Sequence, residues 1–494
     1  MKQIRKLVFM AVVMGLVLFT AHVGFAAYNH LGDTDSVNFR SVYPEEVGTK
    51  LDSCTLCHSG GSYVSAGKTT TLGSCQWCHY KTNYGADDQY DATLNAYGLA
   101  YKSAGRSIDG VRAIEDLDSD GDGYSNRVEI AAIRYPGDPN DNPSKVPAPY
   151  RVFTREQLEQ MPQHTQFLLM NASKSDDSYT QYSGVALENL IEAIMLDSAT
   201  GITVYSPDGF ATYHPFSAST NPNSYHVFGI YPQGTFYYDE RADIAIHPPD
   251  PPDYLNGGWC NYSSPSAAGR TNGSAIFNPE GLKMMLAFKR DGEYLTPGVL
   301  NSQNKLDGEG PFRVVPPQKN PGPPDQRSSS KTQGVIWPYD SYADHNAGFS
   351  SRSVTIIRVE PLPEGTTDID LLEAGWSYID ANKIVVYGAI DPVPTIVEKL
   401  KGLIASIKET PDKAFRNRLL DEVLMIELMF IKAEVEHGAY KAALWSLQNY
   451  IQTKTDGCIS GSRADRNDWV TDCNIQRQFY WALNEIIVLL KILV

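Results

Sequence analysis

The chain has 494 residues, 42% of them hydrophobic and 20% charged, which suits several packed domains and excludes a disordered protein. Its formal net charge is −16, and −19 once Lys2, Arg5 and Lys6 of the N-terminal segment are removed. So acidic a surface argues against nucleic acid or anionic lipid as a partner and favours cationic proteins or divalent ions.

Lys2, Arg5 and Lys6 form a basic head, an apolar stretch runs from Leu7 to Phe19, and Gly24-Phe25-Ala26 places small residues where a signal peptidase inspects. Residues 1–26 therefore read as a secretory signal peptide. The stretch falls short of the roughly 20 residues of a membrane span, and no other run is longer and as apolar, so no transmembrane segment is expected after its removal. No cysteine follows it to carry a lipid. The destination is the periplasm, or the extracellular side and outer surface of the cell. The 29 tyrosines, 39 glycines and 30 prolines fit a loop-rich exported protein with β-structure.

Two Cys-x-x-Cys-His motifs follow, Cys54-Thr55-Leu56-Cys57-His58 and Cys75-Gln76-Trp77-Cys78-His79. Two thiols two residues apart reach the vinyl groups on one edge of a porphyrin, and the next histidine then lies beneath the iron. Zinc knuckles rarely repeat that histidine, and a redox Cys-x-x-Cys sits in a βαβ pattern that is missing here. Two covalently bound haem c groups are expected, with His58 and His79 as axial ligands. His30 is the remaining histidine of this segment and the candidate second ligand of one iron. The other iron needs a distant residue, a methionine such as Met161, or water.

Residues 118–129 match the twelve-residue calcium loop. Asp118, Asp120 and Asp122 supply oxygens at positions 1, 3 and 5, and Gly123 makes the turn at 6. The Tyr124 carbonyl serves at 7, Asn126 acts through water at 9, and Glu129 closes the site at 12. Ser125 stands where paired EF-hands place an apolar residue, and no second loop follows, so a solitary structural calcium site is expected. The Asp-Pro and Asn-Pro run from Gly137 to Pro143 reads as a linker.

From about Pro147 to Pro392 short β-type runs predominate, such as Gly201–Ser206 and Val354–Val359, with one helix at Ala186–Leu196. Helical periodicity then takes over in Ile396–Ile407, Lys413–Glu436, Tyr440–Ile451 and Ile475–Leu493. In an exported protein Cys458 and Cys473 read as a disulfide closing a short loop, leaving Cys260 over. The expectation is a multidomain chain. Residues 27–146 form a small α-helical dihaem cytochrome c domain with its EF-hand-like loop, 147–392 an α+β domain, and 393–494 an α-helical bundle.

Tyr182-Ser183-Gly184-Val185-Ala186-Leu187 resembles a segment of the oxidoreductase molybdopterin-binding domain, the sulfite-oxidase fold, as do Phe288–Glu293 and Gly308–Pro316. The Gly308-Glu309-Gly310-Pro311 run, with two haem motifs and a calcium loop, is similar to the bacterial dihaem c-type cytochromes named for the GEGP motif. The last hundred residues resemble a helical domain of exported bacterial proteins, carried by Thr455–Cys458 and Asp468–Cys473. The central resemblance implies a sulfite-oxidase-like fold. It does not extend to the metal, because Phe167–Ser173, where that family places its molybdenum-ligating cysteine, has none and Cys260 lies well downstream; molybdopterin is not expected.

The leading expectation is an electron relay whose partners are other redox proteins, cytochromes among them, as donor or acceptor. The alternative is a haem-coupled oxidoreductase acting on a small molecule in the central domain, with Arg313, Arg352 and His345 as contacts. A third reading makes the haems structural parts of a surface interaction protein, and a redox titration separates it from the first.

Overall fold

The computed structural model describes residues 34–47, 49–52, 55–58, 62–65, 68–71, 93–171, 178–206, 211–218, 224–231, 236–238, 265–271, 273–300, 306–319, 346–369, 382–460 and 463–494. The architecture mixes helices and sheets, with helices toward both ends of the described residues and most of the β-structure between them.

The N-terminal helices Thr34–Val42, Thr55–His58, Ala96–Ser103, Ile108–Ala113 and Asn126–Ala131 are short. Six residues or so of helix cannot hold itself in water, so tertiary packing must hold these. Phe39, Leu56, Tyr97, Tyr101, Val111 and Ile130 supply it in one small aromatic-rich core. An all-helical segment was expected here, yet Ser62–Ser65 and Lys68–Thr71 pair as an antiparallel hairpin. The runs Tyr63-Val64 and Thr69-Thr70-Thr71 are rich in β-branched and aromatic residues, which favour strands over helices.

The run from Gly137 to Pro143 is no loose linker. Asp141 is buried, its Oδ2 2.6 Å from Lys50 Nζ and accepting the Tyr135 amide at 3.0 Å. A carboxylate committed to a buried lysine ties this segment into the N-terminal core. Just beyond it, Val146–Pro147 pairs in parallel with Thr366–Thr367, and Val146 packs into the C-terminal helical core.

Two five-stranded sheets make up the middle of the chain. In the first, Met285–Arg290 lies between Ser178–Ala186 on one edge and Arg313–Val315 and Glu293–Tyr294 on the other, and Gln163–Met170 extends the sheet beyond Ser178–Ala186. All its pairings are antiparallel. The second runs Tyr150–Thr154, Lys383–Gly388, Ile356–Glu360, Gly201–Tyr205, Ala211–Pro215, with one parallel pairing, between Ile356–Glu360 and Lys383–Gly388. Alternate residues of both sheets, among them Val185, Leu286, Val314, Ile202, Val204, Ile357 and Val386, meet in one core. This is what period-two side-chain alternation produces when two sheets share an interior. The helix expected over Ala186–Leu196 spans only Leu187–Glu192. Its last turn is drawn into β pairing, for Met195 bridges Ile390 and the Leu196 amide bonds the Ala389 carbonyl at 3.0 Å.

The C-terminal helices are Val393–Glu409, Leu420–Glu436, Tyr440–Ser446, which continues as a π-helical turn over Leu447–Ile451, the single turn Gly457–Ser460, and Cys473–Lys491. Ile396, Leu400, Leu403 and Ile407 form the inward stripe of the first, at the three- and four-residue spacing expected of one helical face. Helix Lys413–Glu436 was expected unbroken, but its start pairs with the loop ahead of the last helix. Phe415 bridges Val470, and the Arg416 amide bonds the Trp469 carbonyl at 2.9 Å. Cys458 and Cys473 are joined by a disulfide, as expected. Among the described residues no helix is long and apolar enough to cross a membrane.

Candidate functional site

Cys57 and His58 end the short helix Thr55–His58, and the chain holds that helix from three sides. Asn95 does most of this. Its backbone N–H donates to the Cys57 carbonyl at 2.8 Å and its Nδ2 donates to the Leu56 carbonyl at 2.9 Å. Its Oδ1 meanwhile accepts from the Gly98 amide and caps helix Ala96–Ser103. Gly98 allows the two helices to touch, since a Cβ there would lie 2.6 Å from the Cys57 carbonyl oxygen. From below, the Tyr135 hydroxyl donates to Thr55 Oγ1 at 2.9 Å, and Thr55 Oγ1 donates to the Lys50 carbonyl.

The His58 ring is 6% exposed, with Nδ1 3.1 Å from both the carbonyl and the hydroxyl oxygen of Thr93. A histidine whose Nδ1–H donates to a backbone carbonyl is fixed in the tautomer that presents Nε2 as a base, and its ring plane is fixed as well. Metal-ligating histidines are held in this way. Cys54, Cys75, Cys78, His79, His30 and Cys260 lie outside the described residues. Met161, a candidate distant iron ligand, packs against the central core.

Buried charge lies close to this helix. Lys50 and Asp141 are essentially without exposure, Arg134 Nε stands 3.7 Å from Asp141 Oδ1, and Lys50 Nζ lies 4.6 Å above the Tyr135 ring. The group joins Lys50, four residues ahead of Cys54, to Thr55 of the first Cys-x-x-Cys-His motif and to the segment after the acidic loop. Sequence reading missed it because neither Lys50 nor Asp141 has a patterned neighbour.

In the loop Asp118–Glu129 the carboxylates of Asp118, Asp120 and Asp122 offer oxygens within 4.8 Å of one another. Asp118 accepts the amides of Gly121 and Gly123 at 2.7 and 3.0 Å, and Asp122 Oδ1 accepts the Tyr124 amide at 2.9 Å. Gly123 turns the chain at φ +100°, as position 6 requires. Asp120 Oδ2, Asp122 Oδ2 and both oxygens of Glu129 are buried without a hydrogen-bond partner. Burial, with Asp120, Asp122 and Asp118 adding to it, pushes the Glu129 carboxyl up to about 10. Burial and then Asp122 raise Asp120 to about 6. Such a cluster is costly unless a cation joins it, because orphaned buried carboxylate oxygens forfeit their hydration. The donor set is all oxygen and suits a hard divalent ion. Asn126 differs from its expected role. It is wholly buried, donates to the Ile114 carbonyl and Ser119 Oγ, and accepts the Ser119 amide, so it braces the loop from within.

A second acidic group, Asp456, Asp465 and Asp468, also brings its carboxylates within 4.8 Å. Here the buried Asp468 accepts the amides of Gly457 and Asp465, so its oxygens are already satisfied by the loop beside the disulfide.

Arg313, a candidate substrate contact, is buried and committed. Its guanidinium donates to Ser350 Oγ at 2.7 Å, the Tyr182 hydroxyl at 2.7 Å and Glu309 Oε2 at 2.9 Å. Glu309 also accepts from Arg290 at 2.5 Å. Burial pushes the Glu309 carboxyl up, but Arg313 and Arg290 together outweigh it and hold it below the usual range. The Gly-Glu-Gly-Pro glutamate is thus a clasp between strands Met285–Arg290 and Arg313–Val315. Arg352 is exposed, and His345 lies outside the described residues. Phe167 to Met170 are buried strand residues, and the Asn171 amide is bonded to Asn346 Oδ1 at 2.8 Å. A cleft of about 760 Å³ opens elsewhere, between Ser144, Asp197, Glu364 and Lys491.

Comparison with known proteins finds no match to this chain among family models, curated proteins or solved structures.

Proposed function

We propose that this protein is an exported dihaem c-type cytochrome of the GEGP-motif kind, relaying electrons between other redox proteins in the periplasm or at the cell surface. The observation that carries the reading is His58: a buried imidazole, next to a motif cysteine, with Nδ1 held by the Thr93 carbonyl. That suits a residue that would hold haem iron, since a ring fixed in orientation offers its other nitrogen as a base in one direction. Haem, when bound, supplies the redox chemistry. Cys54 and Cys57 would attach one porphyrin and Cys75 and Cys78 the other, and His58 and His79 would hold the irons. Asn95, Thr93 and Tyr135 hold the first attachment helix at fixed distance from the core.

A calcium ion completes the proposed domain, bound by Asp118, Asp120, Asp122, Glu129 and the Tyr124 carbonyl. The two orphaned oxygens of buried Glu129 support it. The central sheets serve as a sulfite-oxidase-like scaffold, and the occupied state of Arg313 favours a relay over a substrate site there. A redox titration of the haem-loaded protein tests the relay. Reversible reduction at defined potentials is expected, and haems that cannot be reduced without unfolding would overturn it.

A further inference from the structure

Helix Leu420–Glu436 carries apolar residues on two faces. Leu424, Leu428, Ile431 and Val435 are buried in the bundle. Leu419, Val423, Ile426 and Phe430 are exposed, by 55%, 37%, 51% and 66%. Their spacing is four, three and four, and Ala433 extends it by three, so this second stripe repeats every 3.5 residues on average. That is the a/d pattern of a coiled-coil seam, whose occupant is another helix. Met429 widens the stripe and is also exposed.

We propose that this face joins two copies of the chain through an antiparallel pair of Leu420–Glu436 helices. In antiparallel coiled coils a positions meet d positions. One register does this for the four large side chains: Val423 against Ile426 of the second copy, and Leu419 against its Phe430, with Ala433 beyond the paired stretch. The stripe is therefore complementary to itself, as a two-fold interface must be. In that register Glu422 falls beside Met429 rather than another carboxylate.

Charge points the same way. Residues 393–494 hold 13 basic and 13 acidic side chains, so the bundle is neutral and the chain's negative charge lies on the rest. A neutral module lowers the long-range repulsion between two such acidic copies, while on helix Leu420–Glu436 itself Asp421, Glu422, Glu427, Glu434 and Glu436 outnumber Lys432, so the pairing should strengthen with salt. The stripe is flanked by Glu422, Glu427 and Glu434, whereas helices that lie on membranes carry Lys and Arg there. The five exposed side chains present on the order of 500 Å², so two copies bury about the 1,000 Å² that a specific interface requires.

The mature, haem-loaded chain at about 50 µM, a concentration well above the Kd of a specific dimer, should sediment at twice its chain mass. Ile426→Glu should halve that mass with unchanged circular dichroism and haem content, and Ile426→Ser should weaken association if the glutamate proves harmful to folding. Ile230→Glu, on an exposed residue of the central region, should leave the dimer intact. A wild-type monomer at that concentration, or a dimer indifferent to both Ile426 variants, would overturn the proposal. So would a monomer that sediments with phosphatidylcholine vesicles through Ile426, which would assign the face to lipid.

Discussion

The imidazole Nδ1 of His58 lies 3.1 Å from the carbonyl oxygen of Thr93, thirty-five residues further along the chain. Two residues on, Asn95 grips the backbone of the same short helix at Leu56 and Cys57. One turn of chain thus sets both the ring and its helix. Asn95→Ala removes the cap of helix Ala96–Ser103 and orphans the buried Leu56 carbonyl, and should cost about 1–3 kcal/mol in urea unfolding. Asn95→Asp keeps the capping oxygen and should lose less. Equal losses from both variants would mean that the cap contributes nothing.

Calcium removal should weaken the N-terminal core. Without a cation, Glu129 and Asp120 have raised pKa values, so they are preferentially protonated in the folded protein. Their contribution to calcium-free stability is then greatest at acid pH and declines as pH rises from the ordinary carboxylate range toward about 10. Calcium binding reverses this, because the ion holds the ionised forms. At pH 8 a chelator should lower the melting temperature by about 5 °C or more. Glu129→Gln should abolish calcium binding in calorimetry while making the calcium-free protein more stable than calcium-free wild type at that pH.

Lys50→Met should be among the costly substitutions in the N-terminal region. It leaves the buried Asp141 carboxylate with the Tyr135 amide and the longer contact to Arg134 but without its close cation, and breaking one partner of a buried pair costs about 3–5 kcal/mol. Lys50→Met combined with Asp141→Leu should recover part of the loss. If the double variant is as unstable as the sum of the singles, the two charges are not coupled.

Much of this was legible where chemistry imposes a pattern. The alternation of Asp and Gly in residues 118–129 marks the clustered carboxylates and the turn at Gly123, and the short loop between Cys458 and Cys473 allows the disulfide that joins them. A motif gives spacing and not direction: the side chain of Asn126, at position 9, turns inward to Ser119 and Ile114. The hidden part of the site is non-local. Thr93 meets His58 through its backbone carbonyl, which every residue carries and no sequence advertises. Asn95 ahead of Ala96 did carry a capping signal, and that signal locates a helix start without naming the helix it clasps. In the sheets, periodicity gave the strands Gly201–Tyr205 and Ile356–Glu360 to within two residues. Their neighbours in the sheet follow from chain crossings that periodicity does not encode.

His214 gives the middle of the chain a sensitivity to acid. The ring is fully buried, with Nδ1 3.3 Å from the Tyr225 carbonyl, and burial lowers its pKa to about 4. A depressed histidine contributes stability that is present above the unfolded value of 6.5 and is lost as pH falls through about 4. The contribution is about 3 kcal/mol by linkage. His214→Gln should flatten the pH dependence of unfolding between those values, and an unchanged slope would remove His214 as its source.

The most direct test of the whole account is the intact mass of the mature protein made in a host that matures c-type haem. The account predicts the mass of the processed chain plus two haems. Cys54→Ala with Cys57→Ala should remove one of them, and Cys75→Ala with Cys78→Ala the other, since thioether bonds are the only covalent hold on the porphyrin. A native mass with one haem or none would contradict it.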